Sequence, residues 1–185
     1  VAQIAEVEVN RQTGHVWVKR LVCAHDCGLV INPEGLQRTI EGNMLYGMSR
    51  ALHEEVRFDT EKVTSVDWNS HPTLTHADAP AQIDIVLLNG DPNPNRPDLP
   101  HYGAGEAACR PTVAAVANAI YDATGVRIRR VPFRDGRVIA DVPRCERPGA
   151  KLQVAHAGDL RELVAGLDHR RRGGAPSHAA CLRCQ

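Results

Sequence analysis

Aromatic side chains are scarce in this sequence, at 4% of its 185 residues. So few rings argue against a surface on which nucleic-acid bases stack. Neither sign of charge dominates, because 22 Lys and Arg balance 22 Asp and Glu. This balance gives no reason to expect a nucleic acid or an anionic membrane as a partner. No apolar run approaches the ~18 residues of a membrane-spanning helix, and the N-terminus lacks a charged-then-apolar signal pattern.

The chain also lacks a start Met, since Val1 opens directly in a strand-like alternation. We therefore expect it to be a portion of a longer chain. A targeting signal would then lie elsewhere, so the sequence leaves the compartment open between cytoplasm and periplasm, and between a soluble and a peripherally associated protein.

Cysteines are too few and too scattered for the dense disulfide framework of a small secreted domain, so we expect reduced thiols. The six positions are Cys23, Cys27, Cys109, Cys145, Cys181 and Cys184. Cys181 and Cys184 form a single Cys-x-x-Cys pair, which binds metal poorly without a second pair. For the segment that contains this pair, a loosely ordered tail is the favoured interpretation.

The pattern of apolar residues indicates an α+β fold, with a mixed sheet and two main packed helices. Alternation predicts a hairpin, with strands at 1–9 and 16–24 joined by turn residues 10–14. An apolar residue about every fourth position predicts a helix from Leu36 to Leu52. A second helix is predicted from Pro111 to Thr124, with a left-handed glycine cap after it.

Further strands are predicted at three places. Residues 54–59 and 63–68 form a pair, 83–88 is apolar enough for the interior of a sheet, and 126–133 closes the domain. The proline-rich loop 89–100 is long enough to predict a wall of a substrate funnel. The periodic pattern ends near residue 140, which divides the chain into a domain at 1–140 and a tail at 141–185.

The chemistry is expected at the stretch from His101 to Pro111. Gly103 and Gly105 flank Ala104 just before Glu106, and glycines there permit positive φ and close approach of a ligand. Glu106 is the only acid of this stretch, held on a predicted tight turn. By spacing alone, a solvated loop acid is the more common explanation.

Two other features carry alternatives. Cys23, His25 and Cys27 recur at every second residue, so they could share one strand face and bind zinc, although no fourth ligand is nearby. Gly42 and Gly47 lie inside the first helix, where glycine costs ~1 kcal/mol relative to alanine. These glycines predict that either a packed part of the fold or a cofactor approaches the helix closely.

Several blocks, in order and at similar spacing, resemble the molybdenum hydroxylases, the xanthine dehydrogenase and aldehyde oxidase family. These blocks are residues 26–33, 39–43, 52–59, 63–68, 103–106, 110–120 and 123–130. Over about residues 1–140 the chain is similar to the C-terminal part of the molybdopterin-binding large subunit, most of all in the nicotinate dehydrogenase and isoquinoline 1-oxidoreductase branch.

The resemblance implies a molybdenum-dependent hydroxylase or dehydrogenase that oxidises an N-heterocycle or an aldehyde with oxygen derived from water. It implies Glu106 as the general base at the molybdenum centre, in a dry funnel whose burial would strengthen the base, and no direct metal ligand in this chain. Cofactor contacts are implied at Gly103, Ala104, Gly105, Thr39 and Gly42. Many members carry glutamine where this chain has Thr39, so that contact departs from the family pattern.

The same resemblance implies the partners. The cofactor would be a molybdenum-pterin, molybdopterin cytosine dinucleotide being the expected form. Iron–sulfur clusters would sit on a small partner subunit, and a cytochrome c is a candidate electron acceptor. The other expected partners are the rest of the large subunit and a small-molecule substrate. No nucleic acid is expected as a partner. We expect the fragment alone to be inactive. The alternative function is a non-catalytic cofactor-binding or assembly module. A small zinc-binding protein is the weaker alternative.

Overall fold

The structure is a computed structural model that describes residues 1–88, 98, 100–141 and 153–156. Its strands are β1 (Ala2–Val9), β2 (Val16–Asp26), β3 (Gln82–Leu88) and β4 (Gln153–His156). Its α-helices are α1 (Pro33–Leu52), α2 (Gly105–Thr124) and α3 (Asp135–Asp141), with a single 3₁₀ turn at His76–Asp78. The mixed sheet and two long helices confirm the predicted α+β class.

The N-terminal hairpin forms as predicted. β1 and β2 pair antiparallel, with a register shift between Glu6 and Val7. The turn is held by Asn10, whose side-chain oxygen accepts hydrogen bonds from the backbone N–H groups of Gln12 (2.9 Å) and Thr13 (3.1 Å). Local turn chemistry is enough to define this connection, since Asn readily bonds the backbone two residues on.

The sheet has the strand order β3-β2-β1-β4, in which β3 runs parallel to β2 and β4 antiparallel to β1. β3 therefore stands at the edge of the sheet formed by the described residues, and the prediction of an interior strand was wrong. An apolar run reports that the two faces of a strand are covered. Such a run does not indicate whether a strand has one neighbouring strand or two. In agreement with burial of one face, Ile83, Ile85 and Leu87 of β3 pack against the core.

A charged pair joins β2 to β3 across this parallel pairing. Arg20 Nε donates to Asp84 Oδ2 at 2.6 Å, and Gln82 Nε2 donates to Asp84 Oδ1 at 2.8 Å. Burial tends to raise the pKa of Asp84, but the hydrogen bonds from Gln82 and Arg20 outweigh it and the pKa is lowered. The one polar residue predicted within β3 is thus satisfied.

Helices α1 and α2 pack together and cover one face of the sheet. α1 begins at Pro33 after an Asn32 cap, whose side chain accepts from Gly35 N–H at 2.9 Å. Fully buried members of the core come from both layers: Ala5, Val7, Val9, Leu21, Ile40, Met44, Met48, Val116 and Ile120.

Helix α1 approaches α2 closely at Gly47. A methyl group added there would lie 2.5 Å from the carbonyl oxygen of Cys109 and 2.8 Å from Thr112 Cβ. At Gly42 an added methyl group would meet nothing within 4 Å. Of the two alternatives stated for these glycines, Gly47 therefore serves close packing, against a helix rather than a sheet.

Helix α2 begins at Gly105, six residues earlier than predicted, and Pro111 lies inside it. The prediction failed because a proline inside a helix removes only one backbone donor, a local cost that tertiary contacts can offset. Here the turn before Pro111 is anchored to the sheet. Gln3 Nε2 donates to the carbonyl of Ala108 at 2.6 Å, and Thr112 Oγ1 donates to Gln3 Oε1 at 2.7 Å. The predicted left-handed cap at Gly125 is confirmed, with φ 77°.

Two predicted strand regions are irregular. Residues 54–68 contain a single bridge, Phe58 to Val63, where a strand pair was predicted. Residues 126–133 contain no strand, although Ile128 and Phe133 are buried. Alternation alone does not make a strand: the first segment has no buried face to dock, and the second runs along the end of α1, where Phe133 N–H donates to Ala51 O at 2.7 Å.

Two predictions fall mostly outside the described residues. The loop at 89–100 is described only at Asp98 and Pro100, so the predicted funnel wall stays a prediction. Of the predicted tail, the structure describes only Asp141 and β4, and the Cys181–Cys184 pair lies outside the description. The boundary at residue 140 stays a prediction. Within the described residues, no helix is long and apolar enough to cross a membrane.

The Arg20–Asp84 pair predicts a pH dependence of stability. Because folding lowers the pKa of Asp84, its contribution is present above the ordinary carboxyl pKa of ~3.9 and is lost as the pH falls through the folded value. Asp84→Asn should therefore destabilise the protein at pH 7 and make little difference well below pH 3.9. Urea unfolding of both proteins across this range measures the effect. An unchanged gap between them in acid would contradict it.

The contact at Gly47 predicts opposite effects of alanine at two positions of one helix. Gly47→Ala should lower the free energy of unfolding by ~1–3 kcal/mol, because its methyl group overlaps backbone of α2. Gly42→Ala should raise it by up to ~1 kcal/mol, because alanine favours the helix and meets no obstacle. Chemical denaturation measures both. Equal effects of the two substitutions would refute the packing role of Gly47.

Candidate active site

The candidate site lies where the carboxyl ends of β2 and β3 meet the N-termini of α1 and α2. Parallel strands end at the same edge of a sheet, a common place for ligands in such folds. Two hydrogen bonds bring the segment before α2 against the loop after β2. Tyr102 N–H donates to Cys27 O at 3.0 Å, and Leu29 N–H donates to His101 Nδ1 at 2.9 Å.

Gly28 makes this loop contact possible. Its φ is +88°, and a methyl group added there would lie 2.2 Å from His101 Nδ1. Asp26 Oδ1 accepts from Gly28 N–H at 3.1 Å and stabilises the same turn. We did not single out this contact from the sequence, although an Asp two residues before a Gly at a strand end is a signal of such a turn.

The N-terminus of α2 carries backbone donors and no side-chain cap. Its first helical hydrogen bond runs from Ala108 N–H to Ala104 O at 3.3 Å, so the amides of Gly105, Glu106 and Ala107 precede it. Ala104 occupies the cap position and has no side chain that could satisfy them. Such amides and the helix dipole favour an anion at this end.

Thr39 and Asn43 of α1 lie beside this terminus. A methyl group added at Gly105 would be 3.7 Å from Asn43 Nδ2 and 3.9 Å from Thr39 Cγ2. Thr39 Oγ1 donates to Gly35 O at 2.9 Å, and Asn43 Nδ2 donates to Thr39 O at 2.9 Å. The predicted site residues Thr39, Ala104 and Gly105 are therefore brought together, and Asn43 is an addition.

Gly42 and Gly103 are solvent-exposed, and a methyl group at either would meet nothing within 4 Å among the described residues. The packing of the described residues does not explain why these two positions lack a side chain. Gly103 and Gly105 do not use the positive φ that glycine permits: in the described part of the chain positive φ occurs at Gly14, Gly28 and Gly125. The bend before α2 is closed by His101 and Tyr102 instead, so it needs no left-handed residue.

Glu106 lies in the first turn of α2, not on a separate tight turn. Its side chain is 89% exposed, and the nearest cation is Arg110 Nη2, one helical turn on, at 3.8 Å. Such an exposed ion pair contributes little to stability. The described residues do not form a dry funnel around Glu106. Its expected burial would have to come from groups outside the described residues.

The alternative zinc site gains no support. Cys23, His25 and Cys27 are all buried, but in the described part of the chain no group of three or more ligating side chains could hold a metal ion. Burial raises the pKa of the Cys23 and Cys27 thiols and lowers the pKa of His25. Protonated thiols are poor metal ligands, and Cys23 Sγ accepts a weak hydrogen bond from Gln3 (3.7 Å).

Comparison with known proteins identifies the family of this chain. The family profile of the molybdopterin cofactor-binding domain matches residues 1–80. A nicotinate dehydrogenase subunit of Pseudomonas putida is 41% identical over 168 residues, which covers 86% of this chain and 14% of that protein. The aldehyde oxidoreductase molybdenum-binding subunit of Escherichia coli is 33% identical over 140 residues, covering 75% of this chain and 19% of that protein.

Among solved structures, quinoline 2-oxidoreductase of Pseudomonas putida superposes with a TM-score of 0.67 at 28% identity, over 78% of this chain and 18% of that one. The fold and the family profile thus define a molybdopterin cofactor-binding domain. The chain belongs to the molybdenum hydroxylase family of xanthine dehydrogenase and aldehyde oxidase, as part of the molybdopterin-binding large subunit.

The chain spans only a seventh to a fifth of the length of these relatives. The alignment with the nicotinate dehydrogenase subunit is longer than the stretch of about residues 1–140 over which the resemblance was recognised from the sequence. An alignment covering 86% of this chain cannot lie within its first 140 residues, so the similarity to the nicotinate dehydrogenase subunit extends past that position.

The Gly28–His101 contact predicts that Gly28→Ala loosens the site. A left-handed alanine costs ~1–2 kcal/mol, and its methyl group would also displace His101. The amides of Leu29 and Tyr102 should then exchange with solvent at least ~10-fold faster, measured by hydrogen exchange. Gly103→Ala is the matched control and should leave both rates unchanged. Slow exchange in both variants would contradict the role assigned to Gly28.

Proposed function

We propose that this chain forms one side of the active site of a molybdenum-dependent oxidoreductase that oxidises an N-heterocycle or an aldehyde with oxygen from water. Glu106 is the general base. The observation that carries the proposal is that Glu106 lies at the uncapped N-terminus of α2, beside Thr39, in a chain 41% identical to a nicotinate dehydrogenase subunit.

The residues at this end of the fold suit an anionic pterin cofactor. The amides of Gly105 and Ala107 can donate to a negatively charged group, and no side chain of the described residues caps this helix end. Thr39 donates its hydroxyl proton to Gly35 O but keeps acceptor capacity, so it can receive one hydrogen bond. Gly103 leaves space for close approach. Gly42 is the least supported contact, because no described packing links it to this terminus.

When bound, the molybdenum-pterin would supply the redox chemistry and an acidified water-derived oxygen. Glu106 would accept the proton at a carboxylate oxygen, a role that requires the carboxylate to be ionised and within hydrogen-bond reach. Its exposure on this chain supports a site completed by another part of the large subunit, since a base must face its substrate. The ion pair with Arg110 would keep the carboxylate oriented along α2.

The relatives support the proposed substrate class. The named substrates of nicotinate dehydrogenase and quinoline 2-oxidoreductase are N-heterocycles, and the higher identity to the former favours that class over aldehydes. We infer a cytosine dinucleotide form of the cofactor, iron–sulfur clusters on a small partner subunit, and a cytochrome c as electron acceptor. The rival function, a non-catalytic cofactor-binding or assembly module, uses the same helix N-terminus without the base.

The role of Glu106 predicts that Glu106→Gln in the complete enzyme retains molybdenum and pterin but loses turnover by ~10²–10⁴-fold, the usual contribution of a general base. Glutamine keeps the size and hydrogen-bonding capacity of the side chain and removes its basicity. Steady-state oxidation of nicotinate, with metal and pterin analysis of the same sample, measures both quantities.

Asp122→Asn is the matched control, because Asp122 is an exposed acid of the same helix near its other end. It should keep normal turnover and cofactor content. Near-normal turnover of Glu106→Gln would refute the assignment of the base. Cofactor at full occupancy without oxidation of any substrate by the unmodified enzyme would favour the rival function.

A further inference from the structure

A cleft of about 600 Å³ opens on the protein beside the C-terminal end of α1. The cleft is formed by two stretches, 55–58 and 130–137. The second stretch is linked to α1 by the hydrogen bond from Phe133 N–H to Ala51 O. The lining residues are Glu55, Val56, Arg57, Phe58, Arg130, Arg134, Gly136 and Arg137. Neither the family resemblance nor the candidate active site assigns a role to it.

Four arginines of this cleft surround one carboxylate. Glu55 pairs with Arg134 at 3.7 Å, with Arg57 at 3.8 Å and with Arg130 at 3.9 Å. It also accepts a hydrogen bond from Arg137 Nη2. A single negative charge therefore balances one of four positive charges in the lining of the cleft. The surplus attracts a partner that carries several negative charges.

The titration behaviour of two lining residues agrees with this surplus. The hydrogen bond from Arg137, together with the charges of the neighbouring arginines, lowers the pKa of Glu55. Burial lowers the pKa of Arg134, and repulsion from Arg57 and Arg137 lowers it further. Since like charges oppose one another here, an added anion would relieve the repulsion.

An apolar strip continues from the cleft along residues 56–68. Its large side chains are 49% to 81% exposed: Val56, Phe58, Val63, Val66 and Trp68. The strip is continuous with the cleft, because Thr64 N–H donates to Arg57 O at 2.8 Å and Arg57 N–H donates to Ser65 Oγ at 3.0 Å. Five exposed apolar side chains in one short segment mark an interaction surface.

We propose that this cleft and strip together, the arginine–apolar face, dock an acidic polypeptide segment with apolar side chains from the remainder of the large subunit. A free small anion would bind the arginines alone and would make no contact with the apolar strip. An acidic polypeptide segment uses both, with carboxylates in the cleft and apolar side chains against Phe58 and Trp68. Arg guanidinium groups pair readily with carboxylates in such interfaces.

The remainder of the large subunit is favoured over a separate protein for two reasons. The relatives of this chain are about four to six times longer, so most of their surface belongs to the same polypeptide. A segment of the same chain is also present at a high effective concentration, which strengthens a contact that would be weak between separate molecules. The inference does not depend on Glu106, because it concerns assembly rather than catalysis.

The first test places a photo-crosslinking amino acid at Trp68 in the complete enzyme, with Gln12, an exposed residue of the β1–β2 turn, as the control position. We expect an adduct from position 68, identified by mass spectrometry, to an Asp- and Glu-containing segment of the same polypeptide, and no such adduct from position 12. An adduct to another subunit, to a second copy or to a segment without acidic residues would overturn the proposal, as would no adduct.

The second test reverses two exposed charges of the cleft, Arg57→Glu with Arg130→Glu, in the complete enzyme. The control is Arg129→Glu, since Arg129 is exposed and adjacent but is not among the lining residues. Proteolytic cleavage within 55–68 should become at least ~10-fold faster in the double variant, about 1.4 kcal/mol, and stay normal in the control. Equal rates would overturn the proposal.

A rescue experiment separates docking from a general loss of folding. Reversing the acids of the crosslinked segment to arginine, in the background of the double variant, should restore slow cleavage. Failure of the rescue would count against a charge-complementary contact. Inorganic phosphate serves as the small-anion probe on the unmodified enzyme, which keeps all four arginines. If phosphate slows cleavage within 55–68 there and has no effect on the double variant, the cleft is a small-anion site and the proposal falls.

Discussion

The arrangement of the site depends on how tightly α2 is held against its neighbours. Gln3 bonds both the Ala108 carbonyl and Thr112, so the first turns of α2 are tied to β1. Gly47 lets α1 approach the same part of α2 without a side chain between them. These contacts place the start of α2, with Glu106, next to Thr39 of α1. Without them, the N-terminal turns of α2 would lose these anchors to β1 and α1.

Two exposed surfaces of the chain have different chemistry. The N-terminus of α2 presents backbone donors and one carboxylate, which suits a polar, anionic ligand. The arginine–apolar face presents a surplus of positive charge and large apolar side chains, which suits a polypeptide. The first is formed by small residues and leaves space, and the second is formed by large side chains. Both are consistent with a chain that spans a seventh to a fifth of its relatives.

Local signals were sufficient where a few adjacent residues decide the conformation. The Asn10 turn, the Gly125 cap and the apolar stripe of α1 were all predicted from the sequence and are present in the structure. They failed where a distant contact overrides a local rule. Pro111 lies within α2 because Gln3, more than a hundred residues earlier, stabilises the preceding turn. Residues 126–133 follow the end of α1 rather than pairing as a strand.

The sequence by itself determined the fold class, the family and the identity of Glu106 as the candidate base, because these rest on periodicity and on motifs that are contiguous in the chain. Only the tertiary structure decided which residues surround that base. It brought Thr39 and Asn43 to Gly105, and Gly28 to His101, and it left Glu106 exposed. It also gathered the arginines around Glu55 from two stretches that are more than seventy residues apart. Contacts at such separations depend on how the helices pack on the sheet, and no local pattern encodes them.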